Sequence, residues 1–233
     1  GITLSKDGDI FATGGTTATS FVGDGSQLTC VASTENIRTN TNATFLQNVN
    51  VSVAITAGKL GIGFTDNNVK IGSTALDALT TGVQNTAVGH AALSDNTTGQ
   101  QNTAVGSNSL ESNTTANDNT AVGYYSLKNN TTGTRNTGIG RGVIATNTTG
   151  DDNTAVGNRA LQDNSTGASN TAVGSYSLDA NTTGGQNVAV GKNALSANTT
   201  ASNNTAVGDR ALESNTTGTT NTSVGGVSLK SNT

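Results

Sequence analysis

The chain has 233 residues, of which 32% are hydrophobic, 11% charged and 3% aromatic, and its formal net charge is −4. This apolar content is well below that of an ordinary globular domain, so a conventional hydrophobic core is not expected. The 11 Lys and Arg residues are scattered, which argues against nucleic acid as a partner, and no apolar run approaches the roughly 20 residues that insert across a membrane.

Residues 1–67 contain short β patterns separated by Gly-rich turns, at 9–13, 19–22, 43–46 and 51–55. They hold all four Phe residues and the only cysteine, Cys30, which has no disulfide partner within one chain. The sequence starts at Gly1 and contains no Met, as expected for a fragment or a processed product. We predict a β-rich shaft or adaptor segment over 1–67.

One 17-residue unit repeats from Asn68 to the end of the chain, in ten copies of which the last is cut short. Each copy opens with Asn and has Gly four residues later. The Asn residues that open the later copies are Asn85, Asn102, Asn119, Asn136, Asn153, Asn170, Asn187, Asn204 and Asn221. Such a period is typical of stacked identical coils, and Gly, Asn, Thr and Val throughout disfavour helix. The predicted fold class is all-β: a parallel β-solenoid, or β-roll, of ten 17-residue coils over 68–233.

The second copy shows how one coil is expected to fold. Thr86 and Val88 face one side of a short strand and Ala87 faces the other, because side chains alternate along extended chain. Other copies replace the Thr or Val with Val or Ile, so we assign both positions to the coil interior. The Ala87 position stays small after the first copy, which indicates a close contact with a partner chain. Leu93 lies in a predicted second strand, and Asn-Thr-Thr-Gly supplies the turn.

Two sets of structural residues follow from this assignment. The predicted coil-interior residues are Val88, Leu93, Val105, Leu110, Val122, Leu127, Ile139, Ile144, Val156, Leu161, Val173, Leu178, Val190, Leu195, Val207 and Leu212. The predicted trimer contacts are Ala87, Ala104, Ala121, Ala155, Ala172, Ala189 and Ala206. Burial of one Val and one Leu per repeat does not offset the entropy cost of ordering 17 backbones, so we predict a homo-oligomer, and rotation about a fibre axis favours a trimer.

Residues 187–195 read Asn-Val-Ala-Val-Gly-Lys-Asn-Ala-Leu, which resembles the head repeat of trimeric autotransporter adhesins, a parallel β-roll with usually shorter coils. Residues 16–29 are similar to a segment common in virion structural and tail-fibre proteins of marine cyanophages. Residues 58–63, Gly-Lys-Leu-Gly-Ile-Gly, are similar to segments of phage fibre shafts. The resemblance implies a trimer on the outside of a particle or cell that is used in attachment.

The sequence offers no constellation of catalytic residues, so we predict that the chain is not an enzyme and needs no cofactor or metal. His90 is the only histidine, and the acidic residues are dispersed through turns, where a structural Ca²⁺ is the alternative left open. These acidic residues are Glu111, Asp151, Asp152, Asp163 and Glu213. The Asn-Thr-Thr runs match the N-glycosylation pattern, but turn chemistry explains them without a glycan.

The predicted function is that of a structural phage fibre, either a tail fibre or another virion appendage, exposed on the extracellular virion surface. It mediates or spaces host attachment, and its partners are two further copies, other virion proteins and a host cell-surface receptor. The variable pairs that follow the Gly of each repeat are expected to face solvent, where they are candidates for receptor contact. Examples are Tyr124 and Tyr125, Asn158 and Arg159, Ser175 and Tyr176, and Asp209 and Arg210. The alternatives are the passenger head of a bacterial trimeric autotransporter and, more remotely, an ice-binding solenoid, which Thr97 and Thr98 fit poorly because they face opposite ways.

Overall fold

A computed structural model describes the strands at residues 2–4 and 10–12 and the whole of residues 67–232. Strands β1 (Ile2–Leu4) and β2 (Ile10–Ala12) pair antiparallel, and β2 falls within the β pattern predicted at 9–13. The patterns at 19–22, 43–46 and 51–55 lie outside the described residues. The chain divides into two compact units, Gly1–Thr56 and Ala57–Thr233, and the second contains the repeats.

Ten strands of three residues form one parallel sheet in the second unit, in chain order and without helix in the described residues. Their bounds are β3 (Val69–Ile71), β4 (Thr86–Val88), β5 (Thr103–Val105), β6 (Thr120–Val122), β7 (Thr137–Ile139), β8 (Thr154–Val156), β9 (Thr171–Val173), β10 (Val188–Val190), β11 (Thr205–Val207) and β12 (Thr222–Val224). Each residue pairs with its equivalent 17 residues later, as Ala155 does with Ala172. Each repeat is therefore one coil, which confirms the predicted β-solenoid.

The rest of each repeat is turn, and its backbone repeatedly adopts left-handed conformations. In the sixth coil, the φ angle is 130° at Gly157, 58° at Arg159, 52° at Leu161 and 59° at Ser169. A Cβ on Gly157 would lie 2.7 Å from the carbonyl carbon of Gly174 in the next coil, so only glycine fits this approach. The predicted second strand around Leu161 is wrong. Its N–H still donates to Ser177 in the next coil at 2.9 Å, but a left-handed φ is incompatible with strand geometry.

The interior of the solenoid is narrow and consists of Leu, Ala, Ser and Asn side chains, with Val143 and Ile144 in the fifth coil. The ninth residue of each middle coil is fully buried, as predicted for Leu93 and its equivalents. The two faces of the strand, however, are the reverse of the prediction. Ala87 and its equivalents are fully buried inside their own coil, so they are not trimer contacts, whereas Val88 and its equivalents lie on the outer side. The corrected positions are Val88, Val105, Val122, Ile139, Val156, Val173, Val190 and Val207.

The two ends of the solenoid differ. In the first coil, Lys70 occupies the position that is Ala in most later coils, and its ammonium lies 3.6 Å from the Asp77 carboxylate. A charged residue in the interior column suits the first described coil, because no further described coil packs on its other side. In the last coil, Leu229 is 51% exposed, whereas Leu212 in the coil before is fully buried. Coil-on-coil stacking is therefore what buries each leucine.

Candidate binding surface

The outer face of the ten-stranded sheet carries only Thr, Val and Ile. Each strand points its first and third residues outward, as Thr154 and Val156 do in β8, while the middle residue points inward. Across β3–β12 the first residue is always Thr or Val and the third always Val or Ile. No charged side chain interrupts this set, which we call the Thr/Val face. Its Val and Ile side chains are half-buried or exposed, so the face is a continuous β-branched surface that residues 67–232 leave uncovered.

A second surface follows the strand in each coil and varies in sequence. It comprises the sixth, seventh and tenth residues of every repeat, which we call the lateral ridge. These residues contact one another within a coil: Asn108 Nδ2 donates to Glu111 Oε2 at 2.9 Å, and Lys128 Nζ lies 4.6 Å from the centre of the Tyr125 ring. Backbone hydrogen bonds fix the ridge from coil to coil, since Gly142 N–H donates to the Tyr124 carbonyl at 2.9 Å.

The lateral ridge has a gap at the fifth coil, where its seventh and tenth residues are Gly142 and Ala145. The neighbouring coils carry large side chains at the equivalent positions, Tyr125 and Lys128 on one side and Arg159 and Gln162 on the other. A cleft of about 300 Å³ results, which we call the notch. It is lined by Tyr124, Tyr125, Arg141, Gly142, Ala145, Arg159 and Gln162.

The aromatic wall of the notch is a stacked pair. The ring centres of Tyr124 and Tyr125 lie 3.9 Å apart with 18° between their planes, and Tyr124 is 43% exposed. The hydrogen bond between the two side chains raises the pKa of the Tyr124 phenol above its ordinary value, whereas Arg141 and Lys128 act in the opposite direction. The Tyr124 phenol is therefore neutral near pH 7, and the charged group beside this wall of the notch is the Lys128 ammonium over the Tyr125 ring.

The notch is cationic on its other side. Among the described residues, neither Arg141 nor Arg159 has a carboxylate within 4.0 Å, whereas Lys128 lies 3.7 Å from Glu111. The Arg159 guanidinium also lies 5.8 Å from the centre of the Tyr176 ring. Both arginines are exposed, so their charges are available to a ligand.

The other candidate residues lie apart from the notch. His90 is exposed on the ridge of the second coil. Asp152 accepts two hydrogen bonds from the Arg135 guanidinium, at 2.7 and 2.9 Å, and Asp151 accepts one from the Thr134 hydroxyl at 2.9 Å. Asp163 is exposed, and Glu213 contacts Lys230 at 3.2 Å. No group of three metal-ligating side chains occurs within the described part of the chain.

The Asn of each Asn-Thr-Thr run, and of the equivalent Asn-Ser-Thr run that begins at Asn164, is buried and serves the turn, as predicted. Asn164 Nδ2 donates to the Gly167 carbonyl at 2.9 Å and to Asn147 Oδ1 of the preceding coil at 2.9 Å. Both hydrogen bonds recur at Asn113, Asn130, Asn147, Asn181, Asn198 and Asn215. Asn96 Nδ2 donates only to the Gly99 carbonyl, because the preceding coil has Leu79 at the equivalent position. A glycan cannot be attached to these amides in the folded coil.

Sequence reasoning selected Tyr124, Tyr125 and Arg159 as candidate contacts but missed Arg141 and the gap beside them. The signal was present in the columns of the repeat: the fifth copy alone combines Gly and Ala at the seventh and tenth positions. That signal becomes visible only when both columns are known to be neighbours on one surface.

Neither a protein-family model nor a curated protein nor a solved structure matches the chain. The part of the chain that the structure describes has no helix of the length and hydropathy that would cross a membrane.

Proposed function

We propose that this chain is a non-enzymatic segment of a phage fibre that assembles as a homotrimer and holds a host-attachment surface away from the virion. The observation that supports the proposed assembly is the uninterrupted Thr/Val face. In a chain with 32% hydrophobic residues, the apolar third residue of every strand points out of the coil instead of into it. Packing against identical faces would bury these side chains and add the apolar contact that a thin coil lacks.

The Thr/Val face suits copies of the same chain in particular. Its residues repeat at the strand spacing of about 4.8 Å, so two or three faces related by rotation about a common axis present matching rows to one another. Charges would be buried unpaired in such a contact, and the face has none. The lateral ridge, with its charged and aromatic residues, remains outside this contact and accessible to other molecules.

Assembly is tested by light scattering on the wild type and on two variants of the sixth coil. The wild type should have three times the chain mass of 23.1 kDa. Val156→Lys should give a folded monomer, because it places an unpaired charge in the contact. Thr166→Lys, at an exposed position of the same coil, should stay trimeric. A monomeric wild type, or a trimer that tolerates Val156→Lys, would contradict the proposed contact.

The fibre role is tested by electron microscopy with antibodies against the chain. The antibodies should label external fibres of phage particles. Labelling of bacterial cell surfaces instead would favour the autotransporter passenger. A monomeric wild type that produces thermal hysteresis would favour the ice-binding alternative, with the outward Thr column as its ice-contacting surface.

A further inference from the structure

We infer that the notch at the fifth coil is a binding site for an acidic saccharide, a sugar unit that carries a carboxylate or phosphate group. The inference rests on the proposed function, in which the lateral ridge lies outside the contact between chains and stays accessible to host molecules. It specifies the chemistry of the ligand, which the fold alone does not.

The shape of the notch comes from the small residues of the fifth coil, which lie between larger residues of its two neighbours. With Gly142 and Ala145, the fifth coil has no large side chain at the seventh and tenth positions of the repeat. Side chains of the fourth and sixth coils close the cleft at both ends. Its volume of about 300 Å³ is at the lower end of small-molecule sites and holds one or two sugar units. An extended nucleic acid strand needs a continuous cationic track, which the ridge does not provide beyond these coils.

Each wall contributes a different part of saccharide recognition. The exposed Tyr124 ring, which is stacked on Tyr125, offers a flat, uncharged surface for the C–H face of a sugar ring. Arg141 and Arg159 supply planar guanidinium groups, whose paired donors match a carboxylate or phosphate. The Gln162 amide can donate to and accept from sugar hydroxyls. An apolar platform beside two unpaired cations therefore favours an acidic sugar over a neutral one.

The backbone conformation of Gly142 allows a substitution that fills the notch without disturbing the fold. Its φ is 63°, and the equivalent residues Tyr125 and Tyr176 have φ values of 59° and 57°. The coil thus accommodates tyrosine at this position without a change of backbone. A Cβ on Gly142 would meet only Arg159 Cγ, at an ordinary 3.8 Å. Gly142→Tyr should therefore fold normally while its ring occupies the cleft.

The test uses the full chain on an array of galacturonate, phosphorylated mannose and neutral galactose oligosaccharides of equal length, followed by calorimetry on the bound sugars. The wild type should bind one of the acidic sets and not the neutral set, and which acidic set binds identifies the acidic group. Arg141→Gln should weaken binding by about tenfold or more, as loss of a charge-assisted contact does, and Gly142→Tyr should abolish it. The control is Lys192→Gln, which removes an exposed cation from the same repeat position of the eighth coil and should bind as the wild type does.

Three outcomes would overturn the inference: no binding to either acidic set, equal binding to neutral sugars, or equal losses in Arg141→Gln and Lys192→Gln. Tight binding of a single-stranded oligonucleotide that Gly142→Tyr abolishes would overturn it as well. A wild type that is trimeric but binds no acidic sugar would refute only the notch, whereas a monomeric wild type would refute the proposed assembly.

Deletion of one whole coil separates the notch from the length of the array. Removing residues 136–152 deletes the notch, and removing residues 187–203 shortens the solenoid equally but leaves it intact. Both variants should fold, since each coil contacts only its neighbours. Saccharide binding should be lost in the first and retained in the second. Loss in both, or retention in both, would show that the notch is not the site.

Discussion

Asn153 Oδ1 accepts two hydrogen bonds from Asn170 of the next coil, one from its backbone N–H at 3.0 Å and one from its side-chain Nδ2 at 3.1 Å. Asn153 in turn donates through Nδ2 to Asn136 Oδ1 at 3.1 Å and to the Gly167 carbonyl at 2.8 Å. The first residue of each coil thus extends a buried ladder of amides through the solenoid. Only a side chain with both a donor and an acceptor can continue it.

Asn153→Asp should destabilise the solenoid by about 3–5 kcal/mol, because it replaces the donor with an oxygen and places an unpaired charge in the interior. Urea unfolding followed by circular dichroism measures the loss. The control is Asn158→Asp on the lateral ridge, where the ninth coil naturally has Asp209. If both variants unfold at the same urea concentration, the amide ladder does not stabilise the chain.

Gly138 and Val143 compensate for each other in the fifth coil. The second to fourth and sixth to ninth coils have Ala at the third position and Ala or Ser at the eighth. A Cβ on Gly138 would lie 3.3 Å from Val143 Cγ1 and 2.8 Å from Ser126 Oγ. Gly138→Ala should cost about 1–3 kcal/mol through overpacking. Adding Val143→Ala recreates the Ala155 and Ala160 pair of the sixth coil, so the double variant should be more stable than the sum of the single losses predicts. Simple additivity in this double-mutant cycle would argue against a direct contact.

Thr220 has φ 60°, a conformation that β-branched residues rarely adopt. Its side chain is exposed, so little packing is lost when it is removed. Thr220→Gly should raise the free energy of unfolding by about 1 kcal/mol, because glycine adopts this φ without the steric cost. Thr219→Gly is the matched control: its φ is not left-handed, and the added chain entropy should make it slightly destabilising. Thermal unfolding compares the two, and a lower midpoint for Thr220→Gly would refute the relief of strain.

Asp179 Oδ1 is buried and accepts no hydrogen bond. Burial, with Asp163 nearby, raises the pKa of this carboxyl above its ordinary value, so folding favours its protonated form. The stability that this preference adds is fully present below pH 3.8, the ordinary pKa, and is lost as pH rises through the folded value. Asp179→Asn should therefore stabilise the chain at neutral pH. A buried polar atom without a hydrogen bond costs about 1–3 kcal/mol, and the gain should lie in the lower part of that range because the side chain is only half-buried.

The pH dependence distinguishes this effect from a general gain in packing. The difference between Asp179→Asn and the wild type should shrink as pH falls toward the ordinary carboxyl pKa. Denaturant unfolding from pH 3 to pH 7 measures it, within a range where the wild type remains folded. A difference that is constant with pH would mean that ionisation of Asp179 is not involved.

The period of the repeat was sufficient to predict the parallel solenoid, because in-register stacking of equivalent residues is the main way to satisfy a 17-residue repetition. It was not sufficient to predict which side of the strand faces inward. The apolar character of Val156 favoured the interior, but the narrow coil, already filled by Leu161 and the amide ladder, has room there only for the methyl group of Ala155. The left-handed turn at Leu161 also escaped prediction, since leucine carries no local preference for it. Tertiary confinement decides both features.

The hydrogen bonds between coils also determine how a fibre of this kind would respond to force. Donors such as Thr154 N–H and Gly157 N–H reach carbonyls in the next and the preceding coil, at 2.8 and 2.9 Å, and so lie along the direction in which the coils stack. Tension between the two ends of the solenoid would load these contacts in succession and peel coils from an end one at a time. Each released coil would add roughly 50 Å of extended chain, so a short stack of coils can lengthen several-fold and dissipate the energy of a collision while its remaining coils stay folded.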